Sequence, residues 1–264
     1  MNRLITIKFS HYNEKARWAL DRCGVPFVED AHLPMLHFPA VLRASPRGGV
    51  TDRVSTRYST PLLVTASGPI SESTEIAKFA AKHVGPEHAL IPADVADEVE
   101  ELDRWFGLKL GPATRCYGYH HMLRQPALMK RLAALNVPGL ESKVWSVIFP
   151  LMSGAVRRSL RVNPATAQRA HDRIVEIFDA VGAKLADGRR YLVGDRFTLA
   201  DLSFAALAAP ALLIEQGEGF DARLPTRVEA PAVVRAFADE LRATRAGRHA
   251  VRMFAEERGS VANR

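Results

Sequence analysis

Three separated stretches hold the groups able to do chemistry. Ser10-His11-Tyr12-Asn13 lies where an apolar strand pattern, Leu4 to Phe9, gives way to a helical one, Glu14 to Cys23. A helix start offers backbone N–H groups that have no intrahelical partner. With the Ser10 hydroxyl beside them, they make a place where an anion is stabilised. Taken alone, Ser10 fits two roles, a donor to an anion or the plain cap of a helix. The adjacent Tyr12 phenol is a second candidate donor. Ser71-Glu72-Ser73-Thr74-Glu75-Ile76 opens another helix with small hydroxyls and an acid, again with unpaired backbone donors. Thr60-Pro61-Leu62-Leu63-Val64 sets a proline at the head of an apolar run, where its missing donor costs a sheet least.

The elements that must position these groups follow from periodicity. The first helix carries Ala16, Ala19, Leu20 and Cys23 on one side and stops at Gly24, a residue suited to a left-handed cap. Phe27-Val28 reads as a second strand. Pro61 to Thr65 and Pro69-Ile70 flank an Ala66-Ser67-Gly68 turn and read as a hairpin. Ile76, Phe79 and Ala80 give a third helix its buried face. This order is the outline of an α/β thioredoxin-like domain over residues 1–83. A proline-punctuated linker is expected over 84–93, and an all-α domain over 94–264. In that second part Val95, Val99, Leu102 and Phe106 recur at helical spacing, and Gly111-Pro112 should break or kink their helix. Asn163-Pro164 marks a helix start. Thr198-Leu199-Ala200-Asp201 has capping-box form, with Phe197 placed to staple against Leu202, and is a folding element rather than a site. Gln125 to Arg161 reads as surplus helical chain.

At these residues the chain resembles the glutathione S-transferase superfamily, in its serine-type, bacterial-like form. The Ser10–Leu20 segment looks like the family's first active-site helix, Thr60-Pro61 like its residue-before-cis-proline, and Glu72-Ser73 like its γ-glutamyl-binding pair. Gly194-Asp195-Arg196-Phe197-Thr198-Leu199-Ala200-Asp201 is similar to the helical domain's folding motif. The likeness covers most of residues 1–83 and then 186–209.

The resemblance implies an enzyme with glutathione as co-substrate, activating its thiol for attack on a small electrophile. A hydroxyl donating to the sulfur favours the thiolate, the useful nucleophile, by about 1.5–3 kcal/mol or one to two pKa units. Ser10 is the expected donor, with Tyr12 as the alternative. Glu72 suits the γ-glutamyl ammonium, and Ser73 with the helix-start N–H groups suits its carboxylate. Thr60 would present its backbone to the cysteinyl unit, with Pro61 cis. The Val50–Ser59 stretch departs from the family. With Arg47 it supplies Arg53 and Arg57 as candidates for the glycyl carboxylate, and it is also long enough to obstruct the site.

Arg104, Trp105, Leu108, Arg115, Tyr117, Tyr119, His120 and His121 are candidates for the electrophile pocket. His11 reads either as pocket lining or as a surface histidine. The family also implies a homodimer. Two other functions share the fold: a non-catalytic module binding ligands or proteins, and a glutathione-dependent isomerase or dehalogenase. Asn13 stands where a redox relative would carry the second cysteine of Cys-x-x-Cys, which disfavours disulfide exchange.

Bulk properties narrow the classes. At 264 residues and 47% hydrophobic the chain can bury one large core or two modest ones. No stretch approaches the roughly 20 apolar residues of a membrane span, and no signal-peptide pattern precedes Leu4. Cys23 and Cys116 provide neither a disulfide framework nor zinc spacing, so no metal is expected, and a reduced cytoplasmic setting is. The net charge is +7, yet Lys and Arg are scattered without interleaved stacking aromatics. Nucleic acid is therefore not an expected partner, and the charge suits an anionic small ligand.

Overall fold

The computed structural model describes residues 1–45 and 58–258. Arg47, Arg53 and Arg57 lie outside the described residues. The N-terminal part holds a four-stranded mixed sheet in the order β2-β1-β3-β4. Strand β1 (Asn2–Ile7) pairs parallel with β2 (Phe27–His32) through the crossover helix α1 (His11–Arg22). Its other edge pairs antiparallel with β3 (Leu62–Thr65), which turns into β4 (Gly68–Ser71). Helix α2 (Phe38–Ala44) follows β2, and α3 (Ser73–Ala81) follows β4.

The pleat sorts the strand residues onto two faces. Leu4 and Leu63 join Ala16, Ala19, Leu20, Ile76 and Ala80 in the main core under α1 and α3. Ile5 and Leu62 point the other way and pack with Val41 of α2. Gly24 ends α1 with φ +63, the left-handed conformation expected of it.

The rest of the described chain is helical: α4 (Ala96–Trp105), α5 (Gly111–Met122), α6 (Pro126–Asn136), α7 (Leu140–Ser159), α8 (Pro164–Lys184), α9 (Leu199–Leu212), α10 (Ala232–Ala243) and α11 (Arg245–Met253). Helix α9 is buried along nearly its whole length and packs on α1, α4, α5, α10 and α11. Its start is fixed as its sequence implies. Asp201 caps the Thr198 N–H and also accepts from the Leu192 N–H and from buried His249. Phe197, just before the cap, stacks on Trp18 of α1 with ring centroids 5.7 Å apart. The surplus helices α6 and α7 build a second core from Met129, Ala133, Trp145, Phe149 and Met152, closed by Leu33 from the sheet side.

Gly111-Pro112 does not break the helical path. Residues Phe106–Leu110 form one π turn that carries α4 into α5. The Gly111 N–H bonds to the Phe106 carbonyl, five residues back. In that register the next donor, due to reach the Gly107 carbonyl, belongs to Pro112 and does not exist. The bulge therefore leaves a carbonyl for another group to satisfy.

Candidate functional site

Two adjoining hollows lie where the sheet-containing part meets the helices. The larger, a polar cleft of about 760 Å³, is lined by Tyr12, Lys15, Thr60, Pro61, Glu72, Ser73 and Thr74 on one wall. Arg104, Leu108, Pro112 and Arg115 line the other. The Thr60-Pro61 peptide is cis. Glu72 has φ +74, a backbone setting uncommon for a residue with a side chain, and serves as the N-cap of α3. Ser73 follows as the first helical residue, where the opening N–H groups of α3 have no intrahelical partner. Four of the expected ligand contacts, Thr60, Pro61, Glu72 and Ser73, thus line one cleft.

Ser10 opens onto the second hollow, an apolar cavity of about 110 Å³ that shares Arg115 with the cleft. It is the N-cap of α1 by backbone geometry, with φ −79 and ψ 128, yet its hydroxyl makes no capping bond. Among the described residues that hydroxyl has no recorded hydrogen bond, so it is available to a ligand. Tyr12 is committed elsewhere. Its phenol donates to the Gly107 carbonyl at 2.8 Å, the acceptor that Pro112 cannot serve, and burial pushes its pKa up to about 12.

His11 is buried rather than on the surface. Its Nε2–H donates to the Gly111 carbonyl at 2.9 Å, and burial holds its pKa down at about 3, with the Arg115 charge pushing the same way. Asn13, where a second redox cysteine would stand, donates to the Ile7 carbonyl at 2.9 Å and to Thr60 Oγ1 at 3.2 Å. It braces the strand end and the residue before the cis-proline.

A buried polar knot sits beneath the cleft. Asp103 accepts from Lys15, from Thr74 Oγ1 at 2.7 Å and from Ser203, and Lys15 also donates to Thr74. One carboxylate thus joins α1, α3, α4 and α9, and the Lys15 ammonium and these hydrogen bonds hold its pKa below the usual carboxylate range, against the opposing effect of burial. No sequence motif singles out Asp103, because its partners come from three other elements.

The electrophile-pocket candidates separate. Arg115 and Tyr119 line the apolar cavity with Ser10, and Arg104 and Leu108 line the polar cleft. Tyr117, His120 and His121 face a third hollow with His171 and Phe237. Trp105 packs on Phe106. Among the described residues, no group of three His, Cys, Asp or Glu is placed to hold a metal ion, and no helix is long and apolar enough to cross a membrane.

A thioredoxin-like sheet unit with a cis-proline edge, packed on an all-helical partner, defines the class by its fold. Residues 9–83 match the family profile described as glutathione S-transferase, N-terminal domain, and residues 164–242 match its C-terminal domain. The chain belongs to the glutathione S-transferase superfamily.

Solved structures share the fold over nearly the whole chain. A glutathione S-transferase from Rhodospirillum rubrum is 18% identical, covering 97% of this chain and 99% of its own, with a TM-score of 0.53. One from Methylobacterium radiotolerans, in complex with glutathione sulfonate, is 21% identical, covering 95% and 94%, with a TM-score of 0.52. The transferase URE2P8 from Phanerochaete chrysosporium, with oxidised glutathione, is 14% identical, covering 100% and 97%, with a TM-score of 0.54. Comparison with curated proteins gave no match.

Proposed function

We propose that this protein is a glutathione transferase that activates the glutathione thiol through Ser10 and directs it at a small electrophile held in the apolar cavity. The observation that carries the reading is the pairing of the two hollows. Thr60, cis-Pro61, Glu72 and Ser73 line a polar cleft, and an uncommitted hydroxyl at a helix start stands on the adjoining apolar one. The γ-glutamyl carboxylate sits on Ser73 and the N-terminus of α3, its ammonium on Glu72, and the cysteinyl backbone along Thr60. The thiol then points to Ser10, whose donated hydrogen bond favours the thiolate. Tyr12 supports the helix junction and leaves the sulfur to Ser10. By the same family analogy the protein works in the cytoplasm as a homodimer.

A non-catalytic ligand-binding role is the second reading. It is favoured by the charge of the cleft, whose lining carries six carboxylates against four cationic side chains. An anionic tripeptide meets that field less readily than a neutral ligand would.

Turnover of an activated aryl halide with glutathione separates the two. Ser10→Ala is expected to lower that turnover at least about tenfold, equivalent to 1.4 kcal/mol, and to reduce the thiolate absorbance of bound glutathione. A wild-type protein that shows no glutathione turnover supports the second reading.

A further inference from the structure

The apolar cavity beside Ser10 is walled by Phe9, Met122, Met129, Leu132, Leu213 and Leu224, and among its lining residues there is no acid. Two of its neutral polar groups are spent. His11 donates to the Gly111 carbonyl, and Thr114 Oγ1 donates to the Leu207 carbonyl at 2.9 Å. Two guanidiniums remain on the wall, Arg115 and Arg223. Among the described residues neither has a carboxylate partner. Arg223 Nε donates to the neutral Gln216 side chain at 3.1 Å, and Arg115 has only the Tyr12 ring, 5.8 Å from its Cζ.

Elsewhere most sheltered arginines pair with acids, although half-buried Arg157 donates instead to the Leu123 carbonyl at 3.0 Å. Arg17 holds Glu14 and Glu29, Arg22 holds Glu257, Arg242 holds Glu218, and Arg258 holds Glu14 and Asp21. Of the two unpaired guanidiniums, Arg115 is half-buried and Arg223 exposed. A half-buried cation such as Arg115 on an apolar wall without a counter-charge is costly to desolvate, and an anionic ligand offsets that cost, with Arg223 adding charge at the mouth. The guanidinium fork suits a carboxylate in two-point contact.

From the acid-free apolar lining and its two unpaired guanidiniums, we infer that the second substrate is an apolar organic anion. It is a carboxylate on a hydrocarbon or aromatic body, with its charge on Arg115 and Arg223 and its body among the methionines and leucines. This assignment rests on the transferase reading for its chemistry but not for its binding. Surplus helix α6 supplies Met129 and Leu132, so that segment shapes the pocket for this class of ligand.

Calorimetric titration with octanoate and with octanol, in the absence of glutathione, tests the binding independently of turnover. Octanoate should bind wild type at least about tenfold more tightly than octanol, and Arg115→Gln should abolish that preference. Exposed Arg223→Gln should weaken it and serves as the second variant should Arg115→Gln not fold. Equal affinity for the two ligands in wild type, or a preference that survives both substitutions, overturns the proposal. Saturating S-methylglutathione should leave octanoate binding in place; competition would assign Arg115 to the tripeptide and also overturn it. In turnover, a chloronitrobenzoate should show a lower KM than its methyl ester, and Arg115→Gln should raise only the former. Absence of glutathione binding with octanoate preference intact would refute the transferase reading alone.

Discussion

Ser10 and Tyr12 stand two residues apart on the same turn, and their roles divide by what each hydroxyl already touches. The Tyr12 phenol is bonded to the Gly107 carbonyl, and its burial opposes ionisation up to about pH 12. Giving that proton to a sulfur would strand a carbonyl that Pro112 leaves without a backbone donor. Tyr12→Phe is therefore expected to cost about 1–3 kcal/mol in stability, the penalty of an unsatisfied buried acceptor. Glutathione turnover per folded molecule should change by less than about tenfold. Urea midpoints and turnover on the same preparations check both halves. A larger loss of turnover, with stability unchanged, would move the donor role from Ser10 to Tyr12.

At the scale of elements, the junction of α4 and α5 is built around two glycines with opposite demands. A Cβ on Gly111 would run into the Tyr12 hydroxyl and ring, whereas one on Gly107 would meet open space. Gly111→Ala is expected to destabilise by about 1–3 kcal/mol through overpacking. Gly107→Ala should instead stabilise by roughly 0.5–1 kcal/mol, because alanine loses less backbone freedom on entering a helix. Paired denaturation curves read the two signs, and a stabilising Gly111→Ala would contradict the packing described here. The π turn has a site-level consequence as well. It sets Gly107, Pro112 and Arg115 along the wall facing Thr60 and Glu72.

At the scale of the whole molecule, charge ties α1 to the end of the described residues. Glu14, fully buried in α1, accepts from Arg17 of its own helix and from Arg258 at the end of the described chain. It also accepts from the Asp221 N–H at 3.3 Å, and Arg17 continues the network to Glu29 of β2. Glu14→Gln leaves two sheltered guanidiniums short of charge and is expected to cost about 3–5 kcal/mol. A thermal melt of the variant is the measurement, and an unchanged melting temperature would show the network to be dispensable.

Acid acts through His11. The folded-state pKa is about 3, against an ordinary 6.5, so on acidification the unfolded chain takes up this proton first. Its contribution to stability is whole above about pH 6.5 and falls as pH drops toward 3, at up to about 1.4 kcal/mol per pH unit. His11→Gln should flatten the stability–pH curve between pH 6.5 and 5 relative to wild type, and identical slopes would refute the burial described.

The local parts of this protein were legible in its sequence because short-range physics decides them. Alternation and helical spacing placed β1, α1, the β3–β4 hairpin and α3. Thr198 and Asp201 marked the start of α9, and Asn163-Pro164 that of α8, because caps are satisfied within three or four residues. Pro61 and the Glu72-Ser73 pair drew attention for the same reason: their backbone demands are local.

Only the tertiary structure decided what each group is free to do. The Tyr12 hydroxyl is used up by a carbonyl 95 residues away, Asp103 gathers partners from three other elements, and Arg115 joins a polar cleft to an apolar one. Gly111-Pro112 read as a break or kink, and it became a π turn because a donor from α1 could serve the acceptor that proline left open. Hydrogen bonds and charge pairs across the fold depend on which surfaces meet. No periodicity in a single chain records that meeting, because the free energy of a buried polar group is set by its neighbours in space.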